Sequence, residues 1–304
     1  MAVQMRRTPP VRVAAVCGHD EDTVRALSRA AGDSVAYGVI YGDRALAERT
    51  LGETNAGKAA FEIRHEPDPV KAARAAVQSV ASGENQVLMK GLIHTDDFLH
   101  AVLDRALGLR DSRVLSHVFI LEATHLGRLL FVTDAAVNIA PNFEKKAMIA
   151  RNAISLAREF GIEKPRVAVL AAVELVDPKM PATQDAALLS LMSLRGQFRD
   201  GVVDGPFALD NAVSERAAGI KGIRNEVAGR ADILLVPDIE AGNMLAKSFA
   251  YIAGGRMAGI VVGAKAPIVL TSRADTDDAK YYSLVAAAYT SQIEMGLVKI
   301  GAHH

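Results

Sequence analysis

The sequence predicts an α/β protein built as two three-layer α/β/α domains, the second inserted into the first. Three observations carry this. Short apolar runs alternate with longer helical patterns along most of the chain, the rhythm of parallel βαβ units with helices on both faces of a sheet. The rhythm breaks once, where two long β patterns meet at a tight turn. The last strand and helix then read as a return to the opening domain. The boundaries are 1–115 plus 265–304 for the first domain and 116–264 for the second. A cleft between them is the expected ligand site, because pockets favour domain interfaces.

In the first domain, Val11–Cys17, Val35–Tyr41, Phe61–Arg64 and Gln86–Lys90 read as strands. Glu21–Ala31, Asp43–Leu51, Pro69–Ala81 and Thr95–Leu107 read as helices. Asp68-Pro69 pairs an N-cap with proline at the first helical position. Thr95-Asp96-Asp97 puts carboxylates at the positive end of a helix dipole. In the second domain, Val114–Ala123 and Arg128–Ala136 form a hairpin around His125-Leu-Gly127. Helix Glu144–Phe160, strand Arg166–Val173, helix Thr183–Arg195, strands Val202–Asp204 and Ile233–Pro237, helix Gly242–Ala253 and strand Gly259–Gly263 follow. Strand Pro267–Thr271 and helix Asp277–Met295 close the chain.

Composition narrows the function. The 304 residues are half hydrophobic and carry 35 basic against 35 acidic side chains. That balance gives no electrostatic footprint for nucleic acid or an anionic membrane. No apolar run reaches the roughly 18 residues of a membrane span, and the N-terminus lacks a signal-peptide pattern, so the expected compartment is the cytoplasm. The sole cysteine, Cys17, ends an apolar run and reads as an inert buried thiol.

Several familiar motifs fail. Gly52-Glu-Thr-Asn-Ala-Gly57-Lys58-Ala59 approximates a phosphate-binding P-loop, but it ends in alanine and follows a helix pattern. No G-x-G-x-x-G follows a strand, the histidines lack i, i+4 zinc spacing, and there is no G-x-S-x-G. Polar clusters after apolar runs are the stronger signal. The sharpest is Thr271-Ser272-Arg273-Ala-Asp275-Thr-Asp277-Asp278 after Pro267–Leu270. Ligands of open α/β sheets sit beyond the carboxyl ends of strands. Arginine grips phosphate or carboxylate there, a hydroxyl can donate to developing negative charge, and a carboxylate can take a proton. Lys90-Gly91, Thr133-Asp134 with Asn138, Asp204-Gly205-Pro206 with Asp210-Asn211, and Asp238 with Glu240 and Asn243 are the other clusters. Asp238 and Glu240 also fit plain helix capping.

Taken together and in order, Leu88-Met-Lys90-Gly91 with His94-Thr95-Asp96, Ser116-His117-Val-Phe, Thr133-Asp134-Ala-Ala-Val-Asn138, Asp204-Gly205-Pro206 with Asp210-Asn211, Pro237-Asp238 with Asn243, and Thr271-Ser272-Arg273 resemble the phosphate acetyltransferase and phosphate butyryltransferase family. The resemblance is strongest to butyryl-type members and to the acyltransferase part of proteins that also carry an enoyl-CoA hydratase domain. It covers residues 86–280 well and the first 80 loosely. It implies reversible transfer of a short acyl group, acetyl to butyryl, between the thiol of coenzyme A and inorganic phosphate, with coenzyme A as substrate and no bound cofactor or metal. It also implies the two-domain fold of isocitrate and isopropylmalate dehydrogenases and a homodimer through the second domain. Carried over, Ser272 stabilises the oxyanion and Arg273 holds phosphate. The acetyl-type spacing of the base lands on Ala279, so Asp278 or Asp277 takes that role. Lys90, His117, Asp134, Asn138, Asp204, Asn211 and Asn243 are the expected substrate contacts. The alternatives are a metal-dependent NAD(P) decarboxylating dehydrogenase of the same fold, using Asp275, Asp277 and Asp278, and a non-catalytic coenzyme A-binding module.

Overall fold

The computed structural model describes Met5 and residues 8–57, 60–110, 114–272 and 275–300. In chain order its strands are β1 Val11–Val16, β2 Ala36–Gly42, β3 Phe61–His65, β4 Val87–Lys90, β5 Ser116–Ala123, β6 Arg128–Thr133, β7 Arg166–Leu170, β8 Val202–Phe207, β9 Ile233–Leu235, β10 Met257–Val262 and β11 Ile268–Val269. The helices are α1 Glu21–Gly32, α2 Arg44–Glu53, α3 Pro69–Ala81, α4 Thr95–Leu103, α5 Phe143–Glu159, α6 Pro181–Leu194, α7 Leu209–Val213, α8 Glu215–Ile220, α9 Ile239–Lys247 and α10 Asp277–Glu294. They form an α/β fold with a mixed sheet, in two compact units: Met1–Arg113 with Ala258–Lys299, and Val114–Met257 with Ile300–His304.

In the first unit the strand order is β3-β2-β1-β4-β11-β10, all parallel except β10 against β11. The buried strands are rich in valine, isoleucine and alanine, as sheets covered on both faces require. Asp20 caps α1 by accepting from Thr23 N at 3.0 Å. Asp68 caps α3 through Val70 N and Lys71 N, with Pro69 first in the helix, as the sequence predicts. The beginning and end of the chain meet here. Arg29 of α1 donates to Asp278 of α10 at 2.5 Å, and the Tyr281 hydroxyl donates to Asp33 at 2.6 Å. Burial, then the Asp33 carboxylate, pushes the Tyr281 phenol up to about 12.

In the second unit the order is β5-β6-β9-β7-β8, with β5–β6 antiparallel and the rest parallel. Its core packs Phe119, Leu121, Val132, Phe207, Val227 and Leu234. Here β6, β9, β7 and β8 end on one edge, so the loops after them are neighbours.

Boundaries differ from expectation where a side chain intervenes. The helix expected to reach Leu107 stops at Leu103, because Asp104 accepts from Ala106 N and starts a separate 3₁₀ turn. The helix expected at Gly242–Ala253 begins at Ile239 under an Asp238 cap and loosens into a wide turn at Ser248–Ile252. The short helices α7 and α8 have no counterpart in the sequence reading. Gly52 lies inside α2, so the P-loop-like stretch starts as a helix end; Lys58 and Ala59 lie outside the described residues.

Candidate active site

The first unit has a topological switch point at β1. From β1 the chain goes to β2 on one side, and later to β4 on the other. Loops leaving β1 and β4 therefore diverge and open a crevice at the strands' C-terminal ends. β11 runs parallel to β4 and brings Thr271 and Ser272 to the same edge. A cavity of about 170 Å³ lies there, lined by Lys90, Gly91, Thr271, Ser272, Asp20 and Lys280, among others.

Close packing sets these residues. Gly91 N donates to Val16 O at 2.8 Å and Leu92 N to Cys17 O at 3.0 Å. A Cβ on Gly91 would stand 2.5 Å from Cys17 O and 2.7 Å from Val16 O, so only glycine lets the two strand ends touch. Lys90 is buried at 4 % exposure, unlike a solvated strand end, and its Nζ donates to Gly91 O at 3.2 Å. Ser272 N donates to Asp275 Oδ2 at 2.7 Å, and Asp275 N returns to Ser272 O at 3.2 Å. Asp275 thus fixes the turn that presents Ser272. Arg273 lies outside the described residues.

Lys280 reaches the cavity from the first turns of α10. Its buried ammonium lies 3.1 Å from Asp20 Oδ1 and 3.6 Å from Asp22 Oδ2. Burial alone would raise the Asp20 carboxyl, but the neighbouring Thr23 hydroxyl and the Lys280 ammonium outweigh it and hold it below the usual range. Asp20 is therefore a carboxylate at neutral pH. Cys17 sits beside β1's end with its thiol pushed up to about 11 by burial, against the pull of Lys90, which keeps it a poor nucleophile.

Asp277 and Asp278 do not join this group. Both are exposed on the first turn of α10. Asp278 holds Arg29, and its backbone N–H is taken by Asp277 Oδ1 at 2.9 Å. Asp275, Asp277 and Asp278 make no metal-holding cluster: among the described residues no group of three or more His, Cys, Asp or Glu side chains could hold an ion.

The remaining expected contacts lie in the second unit, and most are engaged locally. Asp134 Oδ1 accepts from Ala136 N and Val137 N at 3.0 Å, and its Oδ2 accepts from Asn138 N and Asn138 Nδ2. Asn138 Nδ2 also donates to Leu115 O at 2.8 Å, and Asn243 Nδ2 to Ala135 O at 3.2 Å. Asp134, Asn138 and Asn243 thus form one network after β6. Asp204 accepts from the Ser190 hydroxyl and from Gly205 N. Asn211 is fully buried, its Nδ2 3.5 Å from Glu174 and its Oδ1 without a hydrogen-bond partner among the described residues. His117 is buried edge-on to Phe119, ring centroids 4.3 Å apart. A larger cavity, about 810 Å³, runs along α6 but gathers only Asp204 of these residues.

A family model described as phosphate acetyl/butaryl transferase matches residues 14–288. The chain belongs to this family. The acetyl/butyryltransferase likeness extends over whole chains. The phosphate butyryltransferase of Clostridium beijerinckii is 42 % identical over 285 residues, covering 94 % of each chain. The phosphate acetyltransferase of Thermotoga maritima is 40 % identical over 286 residues, covering 94 % of this chain and 97 % of that one. The crystal structure of a branched-chain phosphotransacylase from Enterococcus faecalis superposes with a TM-score of 0.82 at 31 % identity, over 92 % of this chain and 99 % of that one. For an acetyl/butyryltransferase the sequence reading was weakest in its first 80 residues. That is where it missed Asp20; Lys280, nearer the C-terminus, it also missed. The available signal was position: Asp20 follows a strand end and opens a helix, as a ligand loop would.

Proposed function

We propose that this phosphate acyltransferase moves a short acyl group reversibly between the thiol of coenzyme A and inorganic phosphate, with phosphate held in the cavity at β1, β4 and β11. The observation that carries the reading is the meeting of Lys90, Ser272 and Lys280 at a switch point. Lys90 supplies a buried ammonium at the cavity, while the charge of Lys280 is shared with Asp20 and Asp22; the further positive charge that a phosphate dianion needs falls to Arg273. Toward acyl-CoA, the thiol sulfur attacks the acyl carbonyl carbon, the carbon–oxygen bond to phosphate breaks with its electron pair leaving on phosphate, and the proton given up by the thiol ends on the departing phosphate. The tetrahedral stage carries an oxyanion, and one preorganised donor, here Ser272, contributes about 2.7–4 kcal/mol. Arg273 is retained as the phosphate-gripping guanidinium on the family resemblance. Asp134, Asn138 and Asn243 act by shaping the loop after β6 rather than by touching substrate. His117, Asp204 and Asn211 are retained as substrate contacts on the family resemblance.

Dimer formation is part of this reading, with α6 at the contact. Leu188, Leu191 and Leu194 are exposed, the last at 82 %, while Leu189 is buried on the opposite side. A helix apolar all round asks for a second cover, and a second copy provides it. Sedimentation at the monomer mass would remove this part. No helix among the described residues is long and apolar enough to cross a membrane; a cytoplasmic place of work suits a coenzyme A enzyme with one buried thiol.

The deciding assay mixes protein, coenzyme A and acetyl or butyryl phosphate and follows loss of free thiol. Arg273→Ala is expected to raise the phosphate KM and to lower the rate by about 10² or more. Wild-type kinetics in that variant would take Arg273 out of the site.

A further inference from the structure

We infer that the second unit carries a further ligand site, for a small molecule with two phosphoryl groups, built from arginines at the sheet edge opposite Asp134, Asn211 and Asp238. Two walls form it. On α5, Arg151, Ser155 and Arg158 recur at i, i+4 and i+7 and so share one face. Beyond α6, Gly196 takes a left-handed conformation (φ 73°) and Gln197 N closes the turn on Met192 O at 3.0 Å. The chain then runs back along α5 with Phe198 buried as its anchor. Gly201 passes so close that a Cβ would stand 2.8 Å from Pro165 O and 3.1 Å from Ile154 Cγ1. Buried Ile154 and Phe198 floor the resulting cavity of about 330 Å³, and Arg199 and Asp200 complete its rim. β7 and β8 run parallel and start at Arg166 and Val202, just after these walls. The cavity therefore lies at the strands' N-terminal ends, whereas Asp134, Asn211 and Asp238 follow the C-terminal ends of β6, β8 and β9.

Charge selects the ligand. Arg158 faces Asp200 at 3.1 Å, a solvent-exposed pair that holds neither partner firmly. Arg151 and Arg199 face no carboxylate among the described residues. The Arg151 guanidinium instead lies over the Phe198 ring, 5.1 Å from its centroid, which steadies it without neutralising it. Three guanidiniums against one carboxylate leave two positive charges in excess, in a chain that is neutral overall. Guanidinium forks match phosphoryl oxygens two at a time, and the Ser155 hydroxyl and Gln197 amide add neutral donors. The cavity has room for more than a lone phosphate and reaches the lower end of small-molecule sites, about 300 Å³. A diphosphate group, free or as an ester, meets both the charge and the space.

The test titrates the whole protein with inorganic pyrophosphate by calorimetry at fixed, low ionic strength. The wild type should bind it, and Arg151→Gln should weaken binding about tenfold, as loss of one charged hydrogen-bonding group does. Arg199→Gln, on the other wall and outside any helix, should repeat the loss, and the double variant should reach about 10²-fold. Arg74→Gln, which takes one exposed charge from the first unit, should leave binding within about twofold, because distant surface charges are screened. In acyl transfer, the KM values for phosphate and coenzyme A should stay within about twofold in both cavity variants, as for independent sites. Unchanged pyrophosphate binding in both variants would overturn the inference, and altered sedimentation in its place would hand the arginines to a protein contact. An equal loss in Arg74→Gln would reduce the effect to general charge and overturn it as well. A coenzyme A KM rising in step with the lost pyrophosphate affinity would make the cavity part of the acyl-transfer site, and the separate site would fall.

Discussion

The two units end their parallel strands differently. In the first, polar side chains after β1, β4 and β11 surround a cavity, and Thr271 Oγ1 is buried there without a hydrogen-bond partner among the described residues. In the second, Asp134 accepts from three backbone N–H groups, Asp204 from Ser190 and Gly205, and Asp238 from Ala241 N. Both regions look alike in sequence, as an apolar run followed by Asp, Asn, Gly or Ser. One set of groups lines a cavity and the other builds loops. What separates them is where the side chains gather, since Asn211 Oδ1 in the second unit also lacks a partner among the described residues, and that becomes visible only when the neighbours are placed.

Mutations can break or sharpen this contrast. Gly91→Ala should have the largest effect, because its Cβ would meet backbone oxygens of Val16 and Cys17 rather than a movable side chain. Displacing Lys90 by about 1 Å should lower kcat/KM by about 10²-fold. A near-normal kcat/KM would mean that the crevice need not hold this shape. Lys280→Met comes next. Removing one partner of a buried pair leaves the Asp20 charge uncompensated, a loss of about 3–5 kcal/mol measured by denaturant unfolding at pH 7. The sign with pH follows from the lowered Asp20 carboxyl. Its stabilisation is complete above the ordinary carboxylate value of about 4 and drains as pH falls through the folded value, so the gap between variant and wild type should shrink in acid. A gap constant from pH 7 to 3 would place the effect elsewhere. Asp134→Ala is the smallest and the most diagnostic. It should cost about 1–3 kcal/mol of stability for the stranded N–H groups and leave the phosphate KM within about threefold, as expected of a scaffold. A strong KM effect with unchanged melting would return Asp134 to the ligand contacts.

Much of the architecture was legible. Alternation of apolar runs and helical patterns located all the strands within a few residues, and the hairpin at His125-Leu-Gly127 is the β5–β6 turn. The Asp68-Pro69 start was readable because capping is local. Strand order was not. Nothing within β1, β4 or β11 says that they are neighbours, so Lys90 and Ser272 could be nominated but not joined. Asp20 and Lys280 stand 260 residues apart; each alone reads as an ordinary cap and an ordinary helix lysine. Asp277 and Asp278 drew notice by proximity to Ser272, yet the helix phase turns Lys280 to the cavity and leaves them exposed.

The ion pair between the loop after β1 and the first turns of α10 has a consequence for biosynthesis. A nascent chain that has not yet reached α10 holds Asp20 and Lys90 but not Lys280. Until α10 is made, the carboxylate beside this cavity lacks its buried ammonium partner, so the wall of the cavity closes only after the two distant segments have met.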